Sequence, residues 1–351
     1  MRHQVRISRR RAVVLATLAA LLLGGVGPAC AQTGEPIGII LAAGDIVGCF
    51  QDEPKYKEVA DLIGVEVKVA KVPVAVLALG DLAYRSKKKK KTYADCFKDF
   101  EATWGVHKAI IYPVPGNHEY SDDPTKAGIF KTYFGDRLKT LGADFRKKQD
   151  DPADGDGLFY SARFPADKPQ GWQILGLNMD APGRSAKRQR DWFALQVNSS
   201  TPRCVLAFAH HFFTSSGDHG REMTGMMEGR MARFFKMMHH GAATVLVAGH
   251  DHDFEQFDRQ DPTGKASKAG VRSFVVGTGG ASLYKISKGD DYKLGKQHPS
   301  SQMFRDRTRG LLKLVLHADG YTWSFLNVDG EPAIDVPVKK EECNPARAPK
   351  P

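Results

Sequence analysis

Five short stretches of this sequence carry side chains that bind cations: Gly44-Asp45, Gly80-Asp81-Leu82-Ala83-Tyr84, Gly116-Asn117-His118-Glu119, His210-His211 and Gly249-His250-Asp251-His252. Carboxylate, carboxamide, imidazole and phenolate are donors for hard and borderline metal ions. Taken singly, each says little. Gly-Asp after a strand is usually a turn. The spacing of His250 and His252 is more pointed, because the two rings can face two different ions. A cation pair held by such a set suits hydrolysis: it generates hydroxide near neutral pH and stabilises developing negative charge.

Each stretch follows an apolar run of strand length. Strands are expected at residues 36–43, 74–80, 109–114, 158–164, 172–177, 204–209, 244–248 and 271–276, with a last pair at 311–316 and 321–328 joined by the turn HADG. Helical periodicity marks 55–63, 93–104, 127–134, 186–197 and 228–240. Strands and helices alternate early and strands dominate late, which predicts α/β architecture with a large mixed sheet. Five strands then deliver metal-binding residue types at their carboxyl ends, the edge where α/β sheets place ligand sites. One domain over 36–338 accounts for the pattern, and the polar, Pro-containing tail at 339–351 is expected to be flexible.

In this order the five stretches resemble the calcineurin-like metallophosphoesterases, over roughly residues 38–330. The resemblance implies a β-sandwich of two mixed sheets flanked by helices, with a dinuclear metal site at the strand carboxyl ends. The first motif of that superfamily commonly reads Asp-x-His, whereas here Asp45-Ile46-Val47 puts a valine at the third place. Tyr84, three residues after Asp81, fills the vacancy, and the combination resembles the purple acid phosphatase branch in its small, single-domain, bacterial secreted form. That branch implies Asp45, Tyr84 and His252 around one metal, Asn117, His210 and His250 around the other, and Asp81 bridging them. The family pattern takes His210 rather than His211. It also points to His118, then His219, as the group that protonates the leaving oxygen.

The implied activity is hydrolysis of phosphate monoesters, small-molecule esters above all, with metal-bound hydroxide as nucleophile. A phosphodiesterase for cyclic nucleotides or phospholipid-type head groups could use the same metals. A cell-surface binding protein with a degenerate site is the reading from another class, and the full ligand set counts against it. A free phenol ionises near pH ~10, so a Tyr84 phenolate calls for Fe(III), partnered by Fe(II), Zn(II) or Mn(II). A trivalent–divalent pair would leave a net positive centre that attracts phosphate. The chain departs from the common GHxHxYER pattern at Phe254 and Gln256, and has Phe212 where relatives often carry Pro. None of these is a ligand position. TWGVHK (103–108) and FVVGTGGASL (274–283) also resemble the bacterial secreted members.

The 351 residues are 42% hydrophobic and 26% charged, enough apolar material for a large core. Residues 1–31 read as a signal peptide: a basic start with Arg2, Arg6, Arg9, Arg10 and Arg11, an apolar run from Ala12, and Ala29-Cys30-Ala31 at the cut. SRRRAVV resembles a twin-arginine export signal, and a lipid-modified Cys30 is the second reading. The protein is therefore expected outside the cytoplasm, in a periplasm or beyond, with no membrane span after cleavage. Losing the five leader arginines lowers the net charge from +11 to +6. Cys49, Cys96, Cys204 and Cys343 remain, and disulfides are permitted in that compartment. Of the three pairings, Cys49–Cys96 is preferred because both follow motif strands, which leaves Cys204–Cys343 to tie down the tail. Residues 87–91 are five lysines, read as a solvated loop with an electrostatic role toward phosphate kept open. Met231, Phe234, Phe235 and Met238 repeat at helical spacing and belong to a core, and His239-His240 complement that helix's C-terminal dipole. No stretch interleaves basic and aromatic residues, so no nucleic-acid platform is expected. Nothing in the sequence sets the oligomeric state.

Overall fold

The structure is a computed structural model that describes residues 34–49, 55–123, 126–145, 157–199, 202–222, 226–286, 297–330 and 340–345. The predicted leader, including Cys30, lies outside the described residues. The strands are β1 (Gly38–Ala43), β2 (Val47–Gly48), β3 (Val74–Ala78), β4 (Ala83–Tyr84), β5 (Ile111–Pro113), β6 (Tyr160–Phe164), β7 (Trp172–Gly176), β8 (Val205–Ala209), β9 (Val245–Ala248), β10 (Phe254–Gln260), β11 (Val271–Val276), β12 (Ser301–Arg305), β13 (Gly310–Leu316), β14 (Gly320–Asn327) and β15 (Glu341–Glu342). The helices are α1 (Tyr56–Val69), α2 (Tyr93–Ala102), α3 (Asn117–Ser121), α4 (Gly128–Thr140), α5 (Gly183–Val197), α6 (Asp218–Glu222) and α7 (Met226–His240), with a 3-10 turn at Trp104–Ile110.

Among the described residues two large mixed sheets form, beside a two-stranded one of β2 and β4. One has the order β15-β14-β13-β1-β3-β5 and the other β12-β10-β11-β9-β8-β7-β6. The expected two-sheet sandwich with flanking helices is therefore what the chain adopts. In the first sheet β1, β3 and β5 run parallel, and in the second β7, β8, β9 and β11 do. Strands buried on both faces must be apolar throughout, and β1, β8 and β9 are buried at every position. Tyr160, Phe208, Phe254 and Leu314 lie in one core that draws on both sheets. Facing helices α5 and α7 pack a second cluster in which Phe193 and Phe234 sit 5.0 Å apart, and Met231 and Met238 are buried there as their spacing predicted.

Several elements differ from the sequence reading. Strands β10 and β12 were not expected, because their residues are polar: β10 reads FEQFDRQ and β12 SQMFR. Glu255 on β10 is nonetheless fully buried, its carboxylate accepting from the Ser216 amide and hydroxyl. Part of the tail expected to be flexible is fixed. β15 pairs with β14, Lys340 bonds Asp319, and Cys343 is buried in a disulfide with Cys204. That crosslink and the strand pairing overcome the polar composition that suggested a loose end. Cys49 and Cys96 form the other disulfide, joining the loop after β2 to α2. No described helix is long and apolar enough to cross a membrane.

Candidate metal centre

The carboxyl ends of β1, β3, β5, β8 and β9 converge, and the loops that leave them are cross-bonded. The Asp45 amide donates to Gly80 O, Gly249 to His210 O, and Gly44 to Val276 O. Asp45, Asp81 and His250 all have left-handed backbone, with φ of 62°, 50° and 75°. Non-glycine residues rarely adopt that region, and strain of this kind gathers where a site requires a particular side-chain direction. Gly116 is needed for a different reason: a Cβ there would lie 2.3 Å from Asp81 Oδ1 and 2.8 Å from His210 Cγ.

Two groups of donors result. In the first, the Tyr84 hydroxyl donates to Asp45 Oδ1 at 2.7 Å and sits 3.0 Å from His252 Nε2, which is itself 3.2 Å from Asp45 Oδ1. In the second, His210 Nε2 lies 3.0 Å from Asn117 Oδ1, 3.1 Å from His250 Nδ1 and 3.3 Å from Asp81 Oδ2. The metal-capable atoms of Asp81, His210 and His250 fall within 4.8 Å of one another. All seven residues expected as ligands are thus brought together. His211 turns away, its Nε2 3.0 Å from Asp180 Oδ2.

The hydrogen bonds behind these groups fit cations. His210 Nδ1 donates to Leu79 O and His252 Nδ1 to Ser282 O, which leaves each Nε2 facing inward. Such outer bonds fix tautomer and ring direction in metal-binding histidines. Glu119 holds the frame: it accepts from the amides of Asp81, Leu82 and Gly116 and from the Tyr93 hydroxyl. Burial, and then the neighbouring Asp81, push its carboxyl up to about 7.

Electrostatics shows what a cation would replace. Burial opposes charge on His210, yet Asp81 outweighs it and raises the ring to about 10. Burial works the other way on Asp81, and His210 followed by His118 hold it well below the usual carboxylate range. A proton on His210 therefore stands where metal charge would. Tyr84 is pushed well above the usual phenol range by burial and by Asp45, so its ionisation requires a strong Lewis acid. His250 is driven well below the usual imidazole range by burial and by His211 and His210, and keeps its lone pair.

The two expected proton donors sit at the rim. The His118 ring lies 4.4 Å from the Tyr84 ring, its Nδ1 2.7 Å from Asp122 Oδ2 and its Nε2 3.9 Å from Asp81 Oδ2. Burial lowers its pKa, but the Asp122 bond and Asp81 carry it upward overall. His219 stacks on His250 at 4.4 Å, with its amide bonded to Asp251 Oδ1. Sequence reasoning missed Asp122 and Tyr284. Asp122 stands four residues after His118, at the C-cap of α3, a spacing that could have revealed it. Tyr284 stacks flat on His252 at 4.1 Å and meets His219 edge-on at 5.4 Å. No spacing marks it, because the fold alone brings its loop over the centre.

A two-sheet sandwich with this donor cluster at its strand ends is the architecture of a metal-dependent phosphoesterase. The chain belongs to the calcineurin-like phosphoesterase family, whose model matches residues 39–254. Among solved structures, it is similar to a purple acid phosphatase from yellow lupin seeds (TM-score 0.61, 15% identity, 84% of this chain and 52% of that one). It thus spans about half the length of the lupin enzyme. It is also similar to GAP50, described as the anchor in the inner membrane complex of Plasmodium (TM-score 0.57, 13% identity, 88% and 89%). PhoD is a third (TM-score 0.53, 14% identity, 88% and 69%). At these identities the likeness is one of fold. No curated protein matches the chain by sequence.

Proposed function

We propose that this chain is an exported phosphatase that hydrolyses phosphate monoesters, with residues 36–338 as its catalytic domain. The observation that carries the reading is the closure of two adjoining donor groups, Asp45–Tyr84–His252 and Asn117–His210–His250, with Asp81 against the second. When bound, a cation pair supplies the Lewis acidity that activates water and neutralises charge on the phosphate. The side chains do the rest. Asp81, the proposed bridge, is fixed by its own amide on Glu119 and by the His118 amide, which donates to Oδ1 at 2.8 Å. His118, steadied by Asp122, is positioned to give a proton to the leaving oxygen, and His219, stacked on His250, is the alternative donor. Tyr84 favours Fe(III) in the group it shares with Asp45, and the Asn–His group suits Fe(II), Zn(II) or Mn(II). Two disulfides support a compartment outside the cytoplasm, either periplasmic or extracellular.

Elemental analysis combined with turnover of p-nitrophenyl phosphate and bis-p-nitrophenyl phosphate tests this reading. We expect metal in the purified protein and faster turnover of the monoester. Faster turnover of the diester would move the assignment to a phosphodiesterase. Full metal occupancy without turnover of either would favour a binding protein.

A further inference from the structure

The strand that delivers Tyr84 runs directly into a turn built of lysines. Residues 87–91 are five consecutive lysines, and all five are exposed. The turn has defined structure. Ser86 and Lys91 exchange backbone hydrogen bonds of 2.9 Å in both directions, the Lys89 amide donates to Ser86 Oγ at 3.2 Å, and Lys90 takes φ 53°. Its base is held on both sides. Tyr84 pairs with Gly48, and Arg85 forms a 3.0 Å ion pair with Asp122. Beyond the turn, Thr92 and Asp95 form a capping box that starts α2, and Cys96 is disulfide-bonded to Cys49.

Like charges gathered in one turn repel. A loop that served only solubility would gain by spreading them. Here the chain confines them on a crosslinked base. With the leader removed, the whole chain carries +6, so this one turn holds a charge comparable to the entire net excess. Its place is set by chain reach. Lys87 follows Tyr84 by three residues, so their Cα atoms are at most about 11 Å apart, and Lys91 folds back onto Ser86. Asp122 fixes the side: its carboxylate takes both Arg85 and His118, so the turn rises on the His118 rim of the centre.

We propose that this turn is a docking element for the substrate, and that the phosphate ester reaching the metal centre is carried on a polyanion with further negative charges beyond the reacting phosphate. The inference rests on the phosphatase reading and narrows its substrate class. The residue type supports it. Lysine ammonium groups are mobile, strongly hydrated point charges, whereas arginine forks read one fixed oxyanion bidentately. Five lysines without an arginine suit an extended anionic chain, which they attract without imposing one geometry.

The test uses two phosphotyrosyl peptides that differ only in the flank, a run of Glu in one and of Gln in the other. They are compared on the metal-loaded wild type and on K87Q/K88Q/K90Q/K91Q. Each kcat/KM is divided by the p-nitrophenyl phosphate turnover of the same preparation. We expect the wild type to favour the acidic peptide by about tenfold at low salt, mostly through KM, and the variant to lose most of that preference. Added salt should erase the preference in the wild type. The same peptides with a non-hydrolysable phosphonate, followed by fluorescence anisotropy, should show the same order of affinity. Equal use of both peptides by the wild type, or an unchanged preference in the variant, overturns the proposal while leaving the phosphatase reading intact. Hydrolysis of neither peptide nor of p-nitrophenyl phosphate overturns the phosphatase reading itself, and the anisotropy still judges the turn. Binding to phosphatidylglycerol vesicles without any peptide preference would assign the turn to a surface and overturn the proposal.

Discussion

Loading a divalent ion into this centre should expel a proton from a buried histidine. The His210 ring is fully buried, donates from Nδ1 to Leu79 O at 2.9 Å, and has Nε2 3.3 Å from Asp81 Oδ2. Burial alone would keep it neutral, but Asp81, and behind it Asp45, raise it to about 10. At pH 7 the neutral ring is then roughly a thousandth of the metal-free population, and freeing it costs about 4 kcal/mol of metal affinity. Zn²⁺ affinity should therefore rise about tenfold per pH unit between pH 7 and 9. The metal-free fold should show the opposite trend. A histidine whose folded pKa lies above its unfolded value of 6.5 stabilises fully below that value and loses the contribution as pH climbs through about 10. Calorimetric titration with Zn²⁺ at pH 7, in buffers of differing ionisation enthalpy, counts the proton directly. We expect about one per chain from His210, and a loss of that release in Asp81→Asn, where the charge that retains the proton is gone. Proton-free binding in the wild type, with affinity flat across this range, would refute the coupling.

Asp81→Ala should lower phosphatase turnover by about a thousandfold or more and leave fewer ions per chain by elemental analysis, because Asp81 is the proposed bridge. Tyr84→Phe, in protein loaded with iron and oxidised, should lose the visible absorption band of a phenolate–iron centre, while a colourless oxidised wild type would count against Tyr84 as a ligand. Gly116→Ala places a methyl 2.3 Å from Asp81 Oδ1. It should destabilise the fold by about 1–3 kcal/mol in denaturant melts and weaken metal retention.

Much of the site could be read before the fold was known, and the reason is local. Each ligand stretch follows an apolar run ended by Gly or His, so the sequence itself marks strand ends that carry donors. Which donor shares a metal with which did not come from spacing. Asp45 and His252 are far apart in sequence and meet only because β1 and β9 bring their loops together. The unread parts have physical causes. β10 hides its buried Glu255 behind a polar composition that Ser216 satisfies. α3 is five residues long, too short for periodicity to show, although its start at Asn117 and its end near Asp122 set both a ligand and the partner of His118. Tyr284 reaches His252 through a loop after β11, a contact that no linear pattern encodes.

The most direct test is a crystal of the metal-loaded protein measured at the absorption edges of the bound elements. The account predicts two anomalous peaks, one among Asp45, Tyr84 and His252 and one among Asn117, His210 and His250, with Asp81 reaching both. A single peak, or a pair that leaves Tyr84 or Asp81 out of reach of any ion, would contradict it.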